Sequence, residues 1–389
     1  MADTDHMADT TEPHPTDTWC LIAGGGTAGH VVPGLAVARA LVERDHPAGS
    51  IHFLGAERGS ETTMVPAAGF GLTVLPGRGL NDRRIDLANL VAAVGIVRGV
   101  GRGIRVVRAR RPAVVLSLGG YAAVPGVIGA AIWRVPIVVT EQNARASLAN
   151  RLAGRFAKAC AVPDADTDLP RAVVTGNPVR PEMLDAALAA ADPAARDEAR
   201  SELGVPSGAS LIAVQSGSLG ARSVNRAVIA MVERLRQRPD IAVHHVIGRR
   251  DWQTEHAPPP AIDGGRITYR AVEYEERTDR LLAAADLFIG RAGASTVAEL
   301  AVVGVPSILV PLPIAPRDMQ RTNAQMLERV GAAVIVSDAD LTPERLTDQV
   351  EQMLTDPQQL RARAAAARTV GFPDAAAHVA ALCEEHARG

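Results

Sequence analysis

Leu21–Leu41, LIAGGGTAGHVVPGLAVARAL, decides how the rest of the chain is read. The apolar run Trp19 to Ala23 has the length and composition of a buried parallel strand. Gly24-Gly25-Gly26-Thr27-Ala28-Gly29 follows, a turn whose backbone N–H groups no bulky side chain shields. Pro33 suits the first turn of a helix, with Leu35, Ala38, Leu41 and Val42 as its apolar face. Strand, glycine turn and helix N-terminus together offer donors and a positive dipole end to an anion or oxyanion. Gly24, Gly26 and Gly29 also satisfy G-x-G-x-x-G, so a dinucleotide oxidoreductase has to be weighed. Its usual companion is an acid ending the second strand. Here Ile51–Leu54 runs into Gly55-Ala56, and Glu57 comes late. His30, directly after the last glycine, is more telling: a neutral imidazole there can take a proton or bond a phosphate.

Composition narrows the field. At 389 residues two domains are the natural division, and 47% apolar content supports sizeable cores. Aromatics make up 3% and net charge is −2, which argues against base-stacking surfaces and general polyanion binding, so no nucleic-acid partner is expected. No apolar run reaches the roughly 20 residues of a membrane-spanning helix. Residues 1–18 lack the blocks of a signal peptide and read as a disordered tail. Cys20, Cys160 and Cys383 are far apart, without C-x-x-C, and read as reduced cytosolic thiols rather than a disulfide framework or zinc site.

Further along, strands and helices alternate as in a doubly wound α/β domain. Ile51–Leu54, Leu72–Leu75, Val114–Leu118 and Pro136–Thr140 are strand candidates, the third leading into Gly119-Gly120-Tyr121 and the fourth into Glu141-Gln142-Asn143. Arg78–Arg111 carries nine arginines (78, 83, 84, 98, 102, 105, 108, 110 and 111) against Asp82 and Asp86. Leu87, Leu90, Val91, Val94, Ile96, Val97 and Val100 lie among them. This is either an ordinary amphipathic helix with solvated arginines or a surface for anionic lipid headgroups. Asp164-Ala165-Asp166-Thr167-Asp168 has divalent-metal spacing, although acid-rich linkers share it. Thr175-Gly176-Asn177-Pro178-Val179-Arg180 closes the first half, and one helical stretch, Pro181–Leu203, bridges to the second.

There the opening pattern returns. Leu211–Val214 is a strand, Ser216–Ala221 a small-residue turn, and Val224, Ala227, Val228, Met231, Val232 and Leu235 mark the following helix. Ile241–Ile247 and Asp286–Ile289 are strands, the latter preceding Gly290–Ser295 and a helix with Glu299. Pro306–Leu312 is the last clear strand, followed by a polar helix face with Gln320 and Asn323. Two helical segments are expected after Leu341, the last over Asp374–Glu385. The resulting division is a first domain over 19–178, a second over 179–372, and a C-terminal helix, 373–389, that packs back on the first.

GGGTAGH at 24–30, GGYAAVP at 119–125, EQN at 141–143, TGNPVR at 175–180 and RAGASTVAEL at 291–300 stand in the order and spacing of one family. Over residues 19 to about 385 the chain resembles the MurG family of bacterial N-acetylglucosamine transferases. The resemblance implies two Rossmann-like domains in the GT-B glycosyltransferase arrangement, with the active site in the interdomain cleft. It implies UDP-N-acetylglucosamine as donor and lipid I (undecaprenyl-pyrophosphoryl-N-acetylmuramoyl-pentapeptide) as acceptor, giving lipid II for peptidoglycan synthesis. Carried over by position, Ser218 and Gly220 meet the diphosphate, while Arg180 and the strand end at Val272 lie by the nucleotide. Glu299 takes the ribose hydroxyls, and Ala294, Gln320 and Asn143 reach the sugar. Thr27, Ala28 and Gly29 are also assigned to the donor. Gly25, Gly26, Gly119, Gly120 and Tyr121 face the acceptor pyrophosphate. Leu219 stands where the family has glutamine, Met319 where histidine or glutamine is common, Thr140 where histidine is frequent and Ile247 where Thr or Ser is.

The expected reaction is an inverting transfer in which the acceptor 4-hydroxyl attacks the anomeric carbon through an oxocarbenium-like transition state. His30 is the candidate base or acceptor-pyrophosphate contact, and Glu141 the alternative base. No metal site and no tightly bound cofactor are expected, and the motifs require no divalent metal. The resemblance further implies a peripheral protein on the cytoplasmic face of the bacterial membrane, with the anionic inner surface and cell-wall synthesis proteins as partners. Alternatives are a GT-B transferase with another lipid acceptor or UDP-sugar, an NAD-dependent oxidoreductase, and a non-catalytic sugar-nucleotide binder.

Overall fold

The computed structural model describes residues 18–57, 59–76, 87–252 and 266–388, with backbone alone over 87–97. It resolves into two compact units. One comprises the described residues up to Thr140, Leu148–Cys160 and the chain from Ala380 on; the other comprises Glu141–Ser147 and Ala161–Val379.

The first sheet is built from β1 (Cys20–Gly24), β2 (Ile51–Ala56), β3 (Gly71–Leu75), β4 (Val114–Gly119), β5 (Ile137–Thr140), β6 (Ala159–Val162) and β7 (Ala172–Val174). Its order is β3-β2-β1-β4-β5-β6-β7, so the strand order reverses between β1 and β4. β1, β2, β4 and β5 are buried at every position, which is why they read as unbroken apolar runs rather than alternating ones. The helices of this part are α1 (Ala28–Glu43), α2 (Glu61–Ala67), α3 (Leu87–Arg110), α4 (Ala123–Ile132) and α5 (Leu148–Gly154). α1 starts earlier than Pro33 suggests. Thr27 is its N-cap in extended backbone, and Pro33 lies inside the helix, where it removes the bond to the Gly29 carbonyl.

α3 turns Gly99, Gly103 and Val107 inward. A Cβ on Gly103 would sit 2.6 Å from Pro125 and one on Gly129 2.9 Å from Val107, so α3 and α4 pack through small residues. Arg98, Arg102, Arg105 and Arg108 are exposed on the other side. Arg78, Arg83 and Arg84, the side chains of Leu87 to Val97, and residues 1–17 of the expected tail lie outside the description. Thr18, assigned to that tail, is instead buried and accepts a bond from Arg110.

α6 (Pro181–Ala191) and α7 (Pro193–Glu202) replace the single helix expected over 181–203. Asp192 ends the first and caps the second by accepting from the Ala194 N–H, and Pro193 cannot continue a helix. The second sheet contains β8 (Ser210–Gln215), β9 (Ile241–Val246), β10 (Thr268–Val272), β11 (Leu287–Gly290), β12 (Ser307–Leu309) and β13 (Ala333–Ile335), in the order β10-β9-β8-β11-β12-β13. α8 (Arg222–Arg234), α9 (Arg249–Trp252), α10 (Thr278–Ala284), α11 (Ala294–Val303) and α12 (Met319–Arg329) connect its strands. Alternate residues of β8 feed two cores. Leu211 and Ala213 join the one that includes α10 and α11, and Ile212 and Val214 the one that includes α8. The apolar residues read onto α8 are all buried.

β13 follows the strand taken as last, and three helices rather than two come after Leu341: α13 (Pro343–Leu354), α14 (Pro357–Arg368) and α15 (Ala375–His386). In α15, Glu384 accepts from Arg44 at 2.5 Å and bonds His46 at 3.1 Å. The Asp164–Asp168 stretch has a structural partner: Arg329 pairs with Asp164 and, at 3.0 Å, with Asp166. Among the described residues no group of three or more His, Cys, Asp and Glu is placed to hold a metal, and no helix is long and apolar enough to cross a membrane. All three cysteines are buried, and none is in a disulfide.

Candidate active site

Both sheets put glycine turns where their strand order reverses, at the carboxyl ends of neighbouring parallel strands, the place where open α/β sheets bind ligands. In the first unit these are the ends of β1 and β4, with Gly24 opposite Gly119. Gly120 has φ +77° and approaches so closely that a Cβ there would lie 2.5 Å from the Gly25 carbonyl oxygen. Gly25 and Gly119 are buried, while Gly26, exposed, and Gly120, half-buried, form the surface here. Tyr121 lies beside it, donating its hydroxyl to the Pro76 carbonyl at 2.8 Å, and burial pushes its pKa up. Thr27, Ala28 and Gly29 open α1 at this same surface, in the first unit.

His30 is half-buried in the first turn of α1, its Nδ1 3.1 Å from the Thr27 hydroxyl. With Nδ1–H donating to Thr27, Nε2 carries the lone pair of a base. Glu61 is the residue that sequence reasoning missed. It is 1% exposed, and its carboxylate accepts from Gly26 N–H at 2.8 Å and from Ala56 N–H at 2.7 Å. One donor of the glycine turn is thus already bonded inside the protein.

In the second unit Glu141 is buried, and its two oxygens hold its own loop. Oε1 accepts from Asn143 N and Nδ2 at 3.0 and 3.1 Å, and Oε2 from Ser147 N at 2.8 Å. Asn143 Oδ1 accepts from Asn323 at 3.2 Å, and Asn323 in turn bonds Ala144 N and the Ala292 carbonyl. This chain brings the EQN loop to the RAGAS turn, where α11 begins at Ala294. Asn323, 2% exposed, was legible only as part of a polar helix face. Gln320, one turn earlier in α12, accepts from Leu312 N at 2.9 Å. Glu299 points from α11 to Arg180, which donates to Oε1 from NH2 at 3.1 Å and from Nε at 3.3 Å. Burial pushes the Glu299 carboxyl up, and Arg180 opposes the shift.

The end of β8 carries the second turn. Gly220 has φ +82°, and a Cβ there would fall 2.0 Å from the Ile247 carbonyl oxygen. The Ser218 carbonyl accepts from Arg249 N and the Gly220 carbonyl from Arg250, both at 3.0 Å. Asp251, 3% exposed, binds Arg250 and Asn225, and Asn225 bonds His245 at 3.1 Å. Ser218 is exposed, as is Leu219 at 59%. Val272 ends β10, and its carbonyl accepts from Ile247 N at 2.9 Å. Gln215 pairs with Gly290 across β8 and β11, which sets this turn beside the start of α11.

Comparison with known proteins bears on the fold and the family. Residues 20–162 match the glycosyltransferase family 28 N-terminal domain and residues 211–379 the C-terminal domain of the same family. The UDP-N-acetylglucosamine--N-acetylmuramyl-(pentapeptide) pyrophosphoryl-undecaprenol N-acetylglucosamine transferase of Desulforudis audaxviator (strain MP104C) is 38% identical over 366 residues, 91% of this chain and 95% of that protein. The enzyme of the same name from Mycobacterium sp. (strain JLS) is 41% identical over 370 residues, 95% of each chain. Among solved structures, Acinetobacter baumannii MurG matches with a TM-score of 0.71 at 27% identity, covering 95% of this chain and 99% of that one. A UDP-GlcNAc 2-epimerase from Neisseria meningitidis matches with a TM-score of 0.63 at 12% identity, covering 95% and 98%, a likeness of fold alone. With two Rossmann-like units of GT-B type and relatives of this identity along nearly their whole length, the chain belongs to the MurG family of N-acetylglucosamine transferases.

Proposed function

We propose that this transferase divides its substrates between its two kinds of glycine turn, with the donor on the second unit and the acceptor on the first. The enzyme moves N-acetylglucosamine from UDP-N-acetylglucosamine to lipid I, giving lipid II. The observation that carries the division is the Arg180–Glu299 pair: Glu299 is 8% exposed, and Arg180 occupies Oε1 alone. A carboxylate held this way has Oε2 to offer vicinal ribose hydroxyls. The diphosphate lies on the Ser218–Gly220 turn and the start of α11, with Ala294, Gln320 and Asn143 toward the sugar and Val272 by the base.

His30 takes the proton of the acceptor 4-hydroxyl as its oxygen attacks the anomeric carbon. The bond from that carbon to the diphosphate oxygen breaks, with inversion, and UDP leaves with the electron pair. Backbone donors already in place at the second turn stabilise the charge gained by the leaving group. Glu141, with both oxygens bonded to its own loop, positions Asn143 rather than taking the proton.

The acceptor is membrane-anchored, and the exposed Arg98, Arg102 and Arg105 of α3 supply a matching surface on the cytoplasmic leaflet. Arg108 lies 5.2 Å over the ring of Trp133, itself 40% exposed, adding an interfacial aromatic. Each such arginine contributes about 1 kcal/mol near anionic lipid. The test is incubation of purified protein with UDP-N-acetylglucosamine and a short-chain lipid I, reading UDP release and product mass. A β-linked disaccharide product is expected, and no product with this pair overturns the proposal.

A further inference from the structure

The carboxylate of Glu61 sits inside a casing of glycines. A Cβ on Gly25 would lie 2.4 Å from Oε1, one on Gly55 2.5 Å from Cγ, and one on Gly59 1.9 Å from Oε2. At three separate points of backbone a Cβ would therefore force the Glu61 side chain to move. The two oxygens join elements 30 residues apart, Ala56 at the end of β2 and Gly26 in the turn after β1. Gly26 itself is exposed, yet its N–H points inward to a group that is 1% exposed.

We propose that Glu61 is a positioning residue for the acceptor pyrophosphate, acting through the glycine turn of the first unit; this rests on the division of substrates given above. The turn has a limited set of donors, and an N–H aimed at Glu61 cannot also face a ligand. Holding Gly26 inward fixes the peptide plane there and sets the approach to Thr27, the cap of α1. Ala28 and Gly29, at the first two positions of the helix, have N–H groups with no partner four residues back. These become the N–H groups turned toward the acceptor pyrophosphate, in place of the UDP-sugar contact that the resemblance implies for Thr27, Ala28 and Gly29. His30 N–H and Val31 N–H both bond the Thr27 carbonyl, at 3.0 and 3.2 Å, so the cap that Glu61 holds also sets the position of His30. A carboxylate suits this task because both oxygens accept, whereas an amide presents an NH2 group to one of the two N–H donors.

Glu61→Gln is the direct test, with Gly59→Ala as a second variant that displaces the carboxylate without removing it. The expected result is an acceptor KM raised about tenfold or more, a donor KM within about twofold of wild type, and faster hydrogen exchange at Gly26. Glu61→Asp, which keeps two accepting oxygens, is expected to recover part of the acceptor KM. A purely structural role would lower kcat with the folded fraction and leave both KM values alone; that result overturns the assignment, as does a rise in donor KM instead. The exchange measurement needs no turnover, so an unchanged Gly26 rate refutes the positioning role by itself. Wild-type protein that makes no lipid II refutes the substrate division instead.

Discussion

Removing the Glu299 carboxylate is the sharpest perturbation of the donor site. Its side chain is 11% exposed against 35% for Arg180, and the pair is joined by two bonds to one oxygen. Hydrogen bonds to a charged group contribute about 1.5–3 kcal/mol, so losing the ribose contact corresponds to roughly a 10- to 150-fold rise in donor KM. Glu299→Ala is expected in that range. Glu299→Gln keeps an oxygen for Arg180 and for one hydroxyl, and should fall well short of the alanine variant. The acceptor KM should stay within about twofold of wild type in both. Burial holds the Glu299 carboxyl above the ordinary carboxylate value of 4.5, with Arg180 partly offsetting it. The ionised form is therefore lost at a higher pH than on a surface glutamate, and donor KM should climb as pH falls toward that range. Glu299→Gln should abolish this climb. The assay is steady-state UDP release at saturating acceptor, with a melt to establish folding. A folded Glu299→Ala enzyme with an unchanged donor KM would refute the ribose assignment.

Three further outcomes follow from the same geometry. His30→Ala should lower kcat by about 10²-fold or more with a small change in donor KM, the usual scale for loss of a general base; unchanged turnover removes His30 from the mechanism. Burial pushes His245 down to about 3, with His244 adding to the effect, and His52 down to about 4, with Arg110 adding. Both folded values lie below the unfolded value of about 6.5, so the unfolded chain binds more protons in between. Stability is complete above pH 6.5 and should fall by about 2 kcal/mol per histidine on going to pH 5, measured as a urea midpoint; a flat profile over that window contradicts the burial argument. Charge reversal at Arg98, Arg102 and Arg105 should abolish salt-sensitive co-sedimentation with anionic vesicles, and retained binding would count against the α3 face.

Much of the fold was legible because parallel buried strands announce themselves as short apolar runs followed by glycine. β7 is exposed throughout and β13 only partly buried, so neither shows an apolar run, and β6, ACAV, is short and only weakly apolar. Pro33 misled because a proline near a helix start suggests the first turn, while the Thr27 cap had already begun it. The motif residues were visible, but their supports were not. Glu61 looks like any acid opening a helix, and Asp251 like any loop aspartate. Only the folded backbone shows that each reaches a glycine turn far away in sequence. Asp164 and Asp166 likewise meet a partner that sequence spacing hides: Arg329, which lies in another helix.

The two turns share a topology and differ in electrostatics, and that difference supports the proposed division of substrates. Beside Gly24–Gly26 lies a buried carboxyl side chain, Glu61, which accepts from a backbone donor of that turn. Around Ser218–Gly220 lie Arg222, Arg249 and Arg250, with the buried Asp251 contacted by two of them. In a displacement at the anomeric carbon, negative charge grows on the departing diphosphate while the attacking hydroxyl gives up a proton. The arginine-rich turn suits the first event. His30, in the first turn of α1 beside the turn that Glu61 holds, suits the second as a proton acceptor. Exchanging the two roles would set the proton acceptor among three arginines, which opposes the second step. The sequence repeats one phosphate-binding pattern, and on the proposed division the groups beneath each turn decide which substrate it serves.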